Sequence, residues 1–316
     1  MEGTGSYGAG LTRFLAEHGE WVVEVDRPTR SPRRRGKSDA LDAERAGREA
    51  LARAHLACPR QRGQREALRV LHLARSAAVQ AYADARRVLK ALLVTAPAPL
   101  REELRGLPWR RLAEACVGLV VPTGAPVEHQ ATVGALRATA ERLLAADQQA
   151  NDLEFEISKL VGQLAPALLE QPGVGPVVAA QVLLAWSHPG RVRSEAAFAM
   201  LGGAAPIPAS SGRTVRYRLN RGGDRQLNRA LHTIVVSRER HHQPTRRYVA
   251  RRTAEGKTPR EVRRCLKRAV ARQLFRLLEG TGKPPNLRDR QGGNPGTSAR
   301  LAGGSKVGCL VGDPAR

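Results

Sequence analysis

Within KSDALDAERA, residues 37–46, Asp39 and Asp42 stand three positions apart. On a helix that spacing puts both carboxylates on one face. Carboxylates this close repel each other, and a cation between them relieves the repulsion. A divalent metal accepts such oxygens and can activate water or stabilise a leaving oxygen in phosphoryl transfer. The same two acids also suit the first turn of a helix, where they complement its dipole; both readings stand on these residues alone. Glu2, at the end of a short expected strand, is a candidate third ligand.

A second set lies in PASSGRTVRYRLNRGGDR, residues 208–225. Ser210 and Ser211 precede Gly212, and Arg213, Arg216, Arg218, Arg221 and Arg225 follow. A serine hydroxyl is a poor nucleophile until a base or a metal activates it. No His or Asp is arranged beside this doublet, so activation has to come from elsewhere. The arginines suit a phosphate, clamping it and offsetting charge that develops on it. A Ser-Ser-Gly turn with no chemistry is the alternative.

A third set is LEQPGVGPVVAAQVLLAW, residues 169–186. One helix ends at Pro172, Gly173 and Gly175 make a turn, and Pro176 starts a second helix at its first position. This is a helix-hairpin-helix layout, in which backbone N–H groups at the start of the second helix face a phosphate. An ordinary turn between two helices has the same outline.

Composition supports a polyanionic partner. Lys and Arg number 53 against 29 Asp and Glu, a formal charge of +24. Each phosphate neutralised by such a surface releases counterions; part of the Arg and Ala excess is also what a GC-rich genome produces. No long apolar run is present, and no basic amphipathic helix stands alone as a membrane anchor. Cys58, Cys116, Cys265 and Cys309 are widely separated without a CxxC pair, which argues against a zinc site or a disulfide framework. No signal-peptide layout opens the chain, and a cytoplasmic location is expected.

The elements that position these groups follow from periodicity. Residues 7–18 read as a short helix with Leu11, Phe14 and Leu15 on one face, stopped by Gly19, and WVVEV (21–25) as a strand. A helix begins at Ser38 or Asp39. From Glu66, apolar residues at three- and four-residue spacing predict a long helix. A second long helix carries Leu136, Leu143, Ala150, Ile157 and Leu164 every seven residues, with Ala146, Leu153 and Leu160 offset by three. That is a coiled-coil seam of about four heptads, suited to an antiparallel hairpin, a dimer arm or two helices of a bundle. Thr258-Pro259-Arg260-Glu261 is a capping box that opens a further helix, with Val262, Leu266, Val270 and Leu274 in its apolar stripe and arginines on its other faces.

Gly3, Gly5, Gly8 and Asp26 also fit the spacing of a dinucleotide-binding fingerprint. That motif needs a strand before its first glycine and further βα units after it. Only Met1 and Glu2 precede Gly3 and everything after residue 38 reads as helix or Arg-rich loop, so a nucleotide cofactor is not expected.

Taken together, EGTGSYG, WVVEVDRP and RRRGKSDALDAERA resemble the second half of the RuvC-like catalytic domain of IS110-type (IS116/IS110/IS902) transposases of bacterial insertion sequences. QPGVGPVVAA, GGAAPIPASSGRTVRYRLNRGGDRQLNRAL and EGKTPREVRRCLKR resemble that family's C-terminal transposase domain, so the resemblance spans nearly all of residues 2–278. It implies a DEDD transposase that cleaves and rejoins DNA, with Mg²⁺ held by acids at a scissile phosphate and a serine as nucleophile. Glu2, Asp39 and Asp42 match three of the four acids, and Ser211, or its neighbour Ser210, matches the serine. Gly173, Gly175, Arg213, Arg216, Arg218, Arg221 and Arg225 then fall to nucleic-acid binding. The implied partners are DNA, a structured guide RNA and further copies of the chain.

The expected fold is an α/β RNase H (RuvC)-like fragment in 1–62, a mainly α coiled-coil region in 63–165 and a C-terminal transposase domain with a helix-hairpin-helix-like element in 166–279, before a disordered tail in 280–316. The family's first aspartate lies on a strand upstream of the glutamate, whereas this sequence begins beside Glu2. An N-terminally truncated enzyme that does not cleave DNA alone is therefore expected, with a nucleic-acid-binding remnant that has lost catalysis as the alternative.

Overall fold

The computed structural model describes residues 1, 3–25, 39–52, 56, 58–59, 62–209, 212, 217–218, 220 and 222–281. The expected tail beyond Thr281 lies outside the described residues. In chain order the elements are α1 (Ala9–Glu17), α2 (Asp39–Ala52), α3 (Gln64–Thr95), α4 (Ala98–Leu104), α5 (Trp109–Val117), α6 (Val127–Leu164), α7 (Pro166–Leu169), α8 (Pro176–Trp186) and α9 (Glu195–Leu201). They continue with β1 (Ile207–Pro208), β2 (Tyr217–Arg218), α10 (Arg225–His241), α11 (Gln243–Ala254) and α12 (Pro259–Thr281). The described chain is mainly helical, and its one sheet is the antiparallel β1–β2 pair, with Ile207 opposite Arg218 and Pro208 opposite Tyr217.

The described residues form two units. The first gathers those of 1–61, 186–198 and 275–281. In it α1 closes as the sequence predicts. Gly19 takes a positive φ of 77°, Gly19 N–H donates to Ala16 and Glu20 N–H donates to Leu15, a Schellman ending. The predicted apolar face of α1 is not buried, since Leu11 and Phe14 are both exposed. WVVEV is extended but is not a full strand. It is held by two backbone bonds to Met1, whose amino group donates to Val23 O at 2.7 Å and whose carbonyl accepts from Val25 N–H at 2.9 Å. The largely buried Glu24 pairs with Arg191 at 3.1 Å, and Trp186 Nε1 donates to Glu279 at 2.7 Å.

The second unit holds 62–185 and 199–274. Its longest elements, α3 and α6, run antiparallel: Gln64 bonds Gln163 at 3.1 Å near one end, and Arg75 pairs with Glu154 at 2.7 Å further along. The heptad residues of α6 therefore find a partner within the chain, which is the antiparallel-hairpin option. Leu136, Leu143, Ala150 and Ile157 are buried as their spacing predicts. Leu153 and Leu160 are only half-buried, and Val161 is buried instead. The cause is helical drift: a straight helix turns about 20° per heptad against a seven-residue repeat, so over several heptads the buried stripe migrates.

Leu89 and Ala85 on α3 join Val133, Leu136, Ala140 and Leu143 on α6, Leu112 and Cys116 on α5, and Leu100 and Leu104 on α4 in one apolar cluster. Burial raises the Cys116 thiol pKa to about 11, so it packs as a small hydrophobe. Prolines set the joints. Pro97, Pro108 and Pro126 are extended residues just before α4, α5 and α6, and Pro166 forces Ala165 out of the helical region to end α6.

Candidate nucleic-acid interface

Asp39 and Asp42 occupy the first turn of α2, as their spacing predicts, and Asp42 lies 4.0 Å from Arg45. Both remain accessible to solvent. Two oxygen-bearing side chains on one helix face fit the chemistry of Mg²⁺ as half of a ligand set. Among the described residues no group of three or more His, Cys, Asp or Glu side chains gathers for a metal. Glu2 lies outside the described residues.

The PGVG turn is built as the sequence predicts, after a single-turn α7. Gly173 takes a positive φ of 75°, Val174 N–H donates to Gln171 O at 3.1 Å, and α8 starts at Pro176. The turn is clasped from α10. The buried Arg238 donates through Nε to Pro172 O at 2.7 Å and through an Nη to Gln273 Oε1 at 2.8 Å, and Gln273 in turn donates to Gln171 at 2.6 Å. A Cβ on Gly173 would sit 3.1 Å from Ile234 O and from Ser237, so this glycine lets the turn lie against α10. At Gly175 a Cβ would meet nothing within 4 Å, and that side of the turn is open.

Beyond α9 the chain passes Gly202 and Gly203, makes the β1–β2 hairpin, and returns through Gly222 and Gly223 into α10. The two glycine pairs meet at the neck of this excursion. A Cβ on Gly223 would lie 2.6 Å from Gly203 N and 2.6 Å from Leu201 O, so backbone packs directly on backbone. Asn228 on α10 ties the neck by donating to Gly202 O at 2.6 Å, and Lys267 on α12 donates to Asn228 Oδ1 at 2.9 Å. Asp224 caps α10 through the N–H groups of Gln226 and Leu227. In the sequence, Ser210 and Ser211 fall between Pro208 of β1 and Tyr217 of β2. Ser210, Ser211, Arg213, Arg216 and Arg221 lie outside the described residues, Arg218 is on β2, and Arg225 is the exposed first residue of α10.

Beside the hairpin runs a cleft of about 940 Å³. It is lined by Ala204, Ala205, Pro206, Cys265 and Ala269 together with Tyr217, Arg218, Asn220, Arg252, Lys257, Glu261, Arg264, Arg268 and Arg272. Six cations thus face one carboxylate. That carboxylate is already engaged: Glu261 accepts from Thr258 N–H at 2.9 Å and from Thr258 Oγ1 at 2.8 Å, the capping box the sequence predicts. These bonds, the backbone one first, hold Glu261 below the usual carboxylate pKa. Also in the lining, Arg252 pairs with Glu255, while its Nε is buried without an acceptor.

Residues 165–250 match the sequence model of the transposase IS116/IS110/IS902 family. This part of the chain is similar to that family's transposase domain. The segment contains the PGVG turn, the glycine neck, the β1–β2 hairpin, α10 and most of α11. The chain is also 33% identical over 146 residues to the "Insertion element IS110 uncharacterized 43.6 kDa protein" of Streptomyces coelicolor, covering 45% of this chain and 36% of that protein. It thus spans about a third of the length of this curated relative.

The structure gathers Arg218 with cleft residues that sequence reasoning did not select. The signal was present on α12: Arg264, Arg268 and Arg272 recur every four residues and so form one stripe. Arg252, Lys257 and Tyr217 gave no such signal, because they reach the cleft only through the turn at Gly256 and the pairing of β2. Gly256 takes a positive φ of 80°, which ends α11 and swings Lys257 to the cleft wall. No helix among the described residues is long and apolar enough to cross a membrane.

Proposed function

We propose that this chain acts as a DNA transposase of an insertion sequence, cleaving and joining DNA through a serine nucleophile. The observation that carries this reading is a coincidence in one segment. The stretch that matches the transposase family holds the clasped PGVG turn, carries PASSG in its sequence, and contributes Tyr217 and Arg218 to a cationic cleft. Ser211, or Ser210, would attack a phosphodiester, forming a serine–phosphate ester and releasing a deoxyribose hydroxyl. Arg218 and the cleft cations would hold the phosphate and offset charge developing on its oxygens.

Glu2, Asp39 and Asp42 would hold Mg²⁺, which when bound supplies charge neutralisation at a scissile phosphate. In this reading residues 1–62 belong to an RNase H (RuvC)-like catalytic domain, and the PGVG turn is a helix-hairpin-helix element whose open side, at Gly175, meets DNA backbone. A structured guide RNA and further copies of the chain are the proposed partners.

The test uses the purified chain, a plasmid carrying the element's own ends, and Mg²⁺. Catalysis by the chain itself predicts a protease-sensitive covalent DNA adduct, absent in Ser211→Ala or in Ser210→Ala, with cleavage lost in Asp39→Asn. DNA binding without any Mg²⁺-dependent cleavage in the wild type would identify the chain as a catalytically inactive remnant instead.

A further inference from the structure

We propose that the cleft beside the β1–β2 hairpin is a track for an unpaired nucleic-acid strand, with Tyr217 as its stacking platform. The proposal rests on the reading above only in taking nucleic acid as the partner. The cations enter from three elements: Arg218 from β2, Arg252 from α11, and Arg264, Arg268 and Arg272 from α12. Four residues of α-helix rise about 6 Å, close to the separation of successive phosphates along an extended strand. The α12 stripe therefore presents one guanidinium per phosphate along the cleft wall.

Tyr217 lines the same cleft and remains 56% exposed, while its backbone is fixed by pairing with Pro208 and by a contact of 3.5 Å from Arg264 to its carbonyl. An aromatic face beside a row of cations is the combination that single strands use, because every unpaired base has a free π-face. In a duplex those faces are already stacked on one another. A concave channel also suits a flexible strand better than a rigid rod. The volume, about 940 Å³, lies at the upper end of the range for small-ligand pockets and leaves room for more than a single compact ligand.

The test is equilibrium binding by fluorescence anisotropy with the full chain and labelled oligothymidylate, oligouridylate and duplex DNA of equal length. One or both single strands should bind more tightly than the duplex at the same salt, and comparison of the first two shows whether DNA or RNA fills the track. Tyr217→Ala should weaken single-strand binding about 5- to 150-fold, the range for loss of one stacked base, while Tyr217→Phe retains it. Arg272→Ala should reduce the slope of log K against log salt by about 0.7, whereas Arg142→Ala, on α6, leaves it unchanged. Circular dichroism of each variant checks that the fold is kept. Tighter binding of duplex, or single-strand binding indifferent to Tyr217→Ala in a folded variant, overturns the proposal. Loss of DNA cleavage with this binding intact would sink the proposed catalysis and leave the track standing.

Discussion

Arg238 Nε donates to Pro172 O at 2.7 Å, joining residues 66 positions apart and fixing the PGVG turn to α10. Burial pushes the guanidinium pKa down from its ordinary value, and a second bond to Gln273 helps hold the group in place. Arg238→Met removes both donors from acceptors on the exposed residues Pro172 and Gln273, a loss of about 1–2 kcal/mol. Arg238→Lys should recover little of it, because an ammonium cannot span the two acceptors with fixed planar geometry. Urea denaturation checks both; a midpoint unchanged in Arg238→Met would show that the clasp contributes nothing.

Gly223→Ala should open the neck of the hairpin excursion. The new methyl would lie 2.6 Å from two backbone atoms, and no side chain can move to make room. A loss of about 1–3 kcal/mol is expected, with faster amide exchange at Gly203 and Asp224. Gly212→Ala is a useful contrast, since a Cβ there meets nothing within 4 Å, although its φ of 54° brings some strain. Equal stability of the two variants would refute the tight crossing.

The α3–α6 pair supplies a sharper contrast. Leu136 is fully buried, and Leu136→Ala should destabilise by about 2–5 kcal/mol. Phe155, 62% exposed with the Lys159 ammonium 4.2 Å above its ring, should cost no more than about 1 kcal/mol when changed to alanine. Thermal denaturation separates the two, and a Phe155→Ala loss as large as that of Leu136→Ala would mean the ring is covered in solution.

Stability should fall on mild acidification. Burial first, then Arg75 and Arg229, lower the pKa of His72 from its ordinary 6.5, and burial with Lys267 and Arg263 does the same for His232. Both imidazoles are favoured neutral in the folded chain. Their contribution is complete above 6.5 and is lost as pH drops from there toward the lowered folded values, because the unfolded chain binds more protons in that window. Tm at about pH 5.5 should lie below Tm at about pH 7.5, and a His72→Gln, His232→Gln double variant should shrink the gap. The same gap in the double variant would assign the acid sensitivity to other groups.

Local patterns were legible in the sequence, whereas long-range contacts were not. The capping box at Thr258, the start of α8 at Pro176, the stop at Gly19 and the buried Leu136–Leu143–Ala150–Ile157 row all follow from short-range rules, and all appear. WVVEV has strand composition but finds only Met1 to pair with among the described residues, so composition alone overstated it. The Arg238 clasp could not be foreseen because its acceptor is a backbone carbonyl, which leaves no trace in residue type. The glycine neck was hidden for a related reason. GG at 202–203 and GG at 222–223 each read as generic loop, and their meaning lies in lying against each other.

That neck separates two kinds of evolutionary freedom. Leu201 O accepts from Asp224 N–H, and Gly203 lies against Gly223, so the ends of the excursion are joined independently of whatever lies between them. The helices on either side are thereby insulated from changes in the length or chemistry of the arc. The length and chemistry of the arc and the cleft rim can therefore vary without renegotiating the helical frame that carries them.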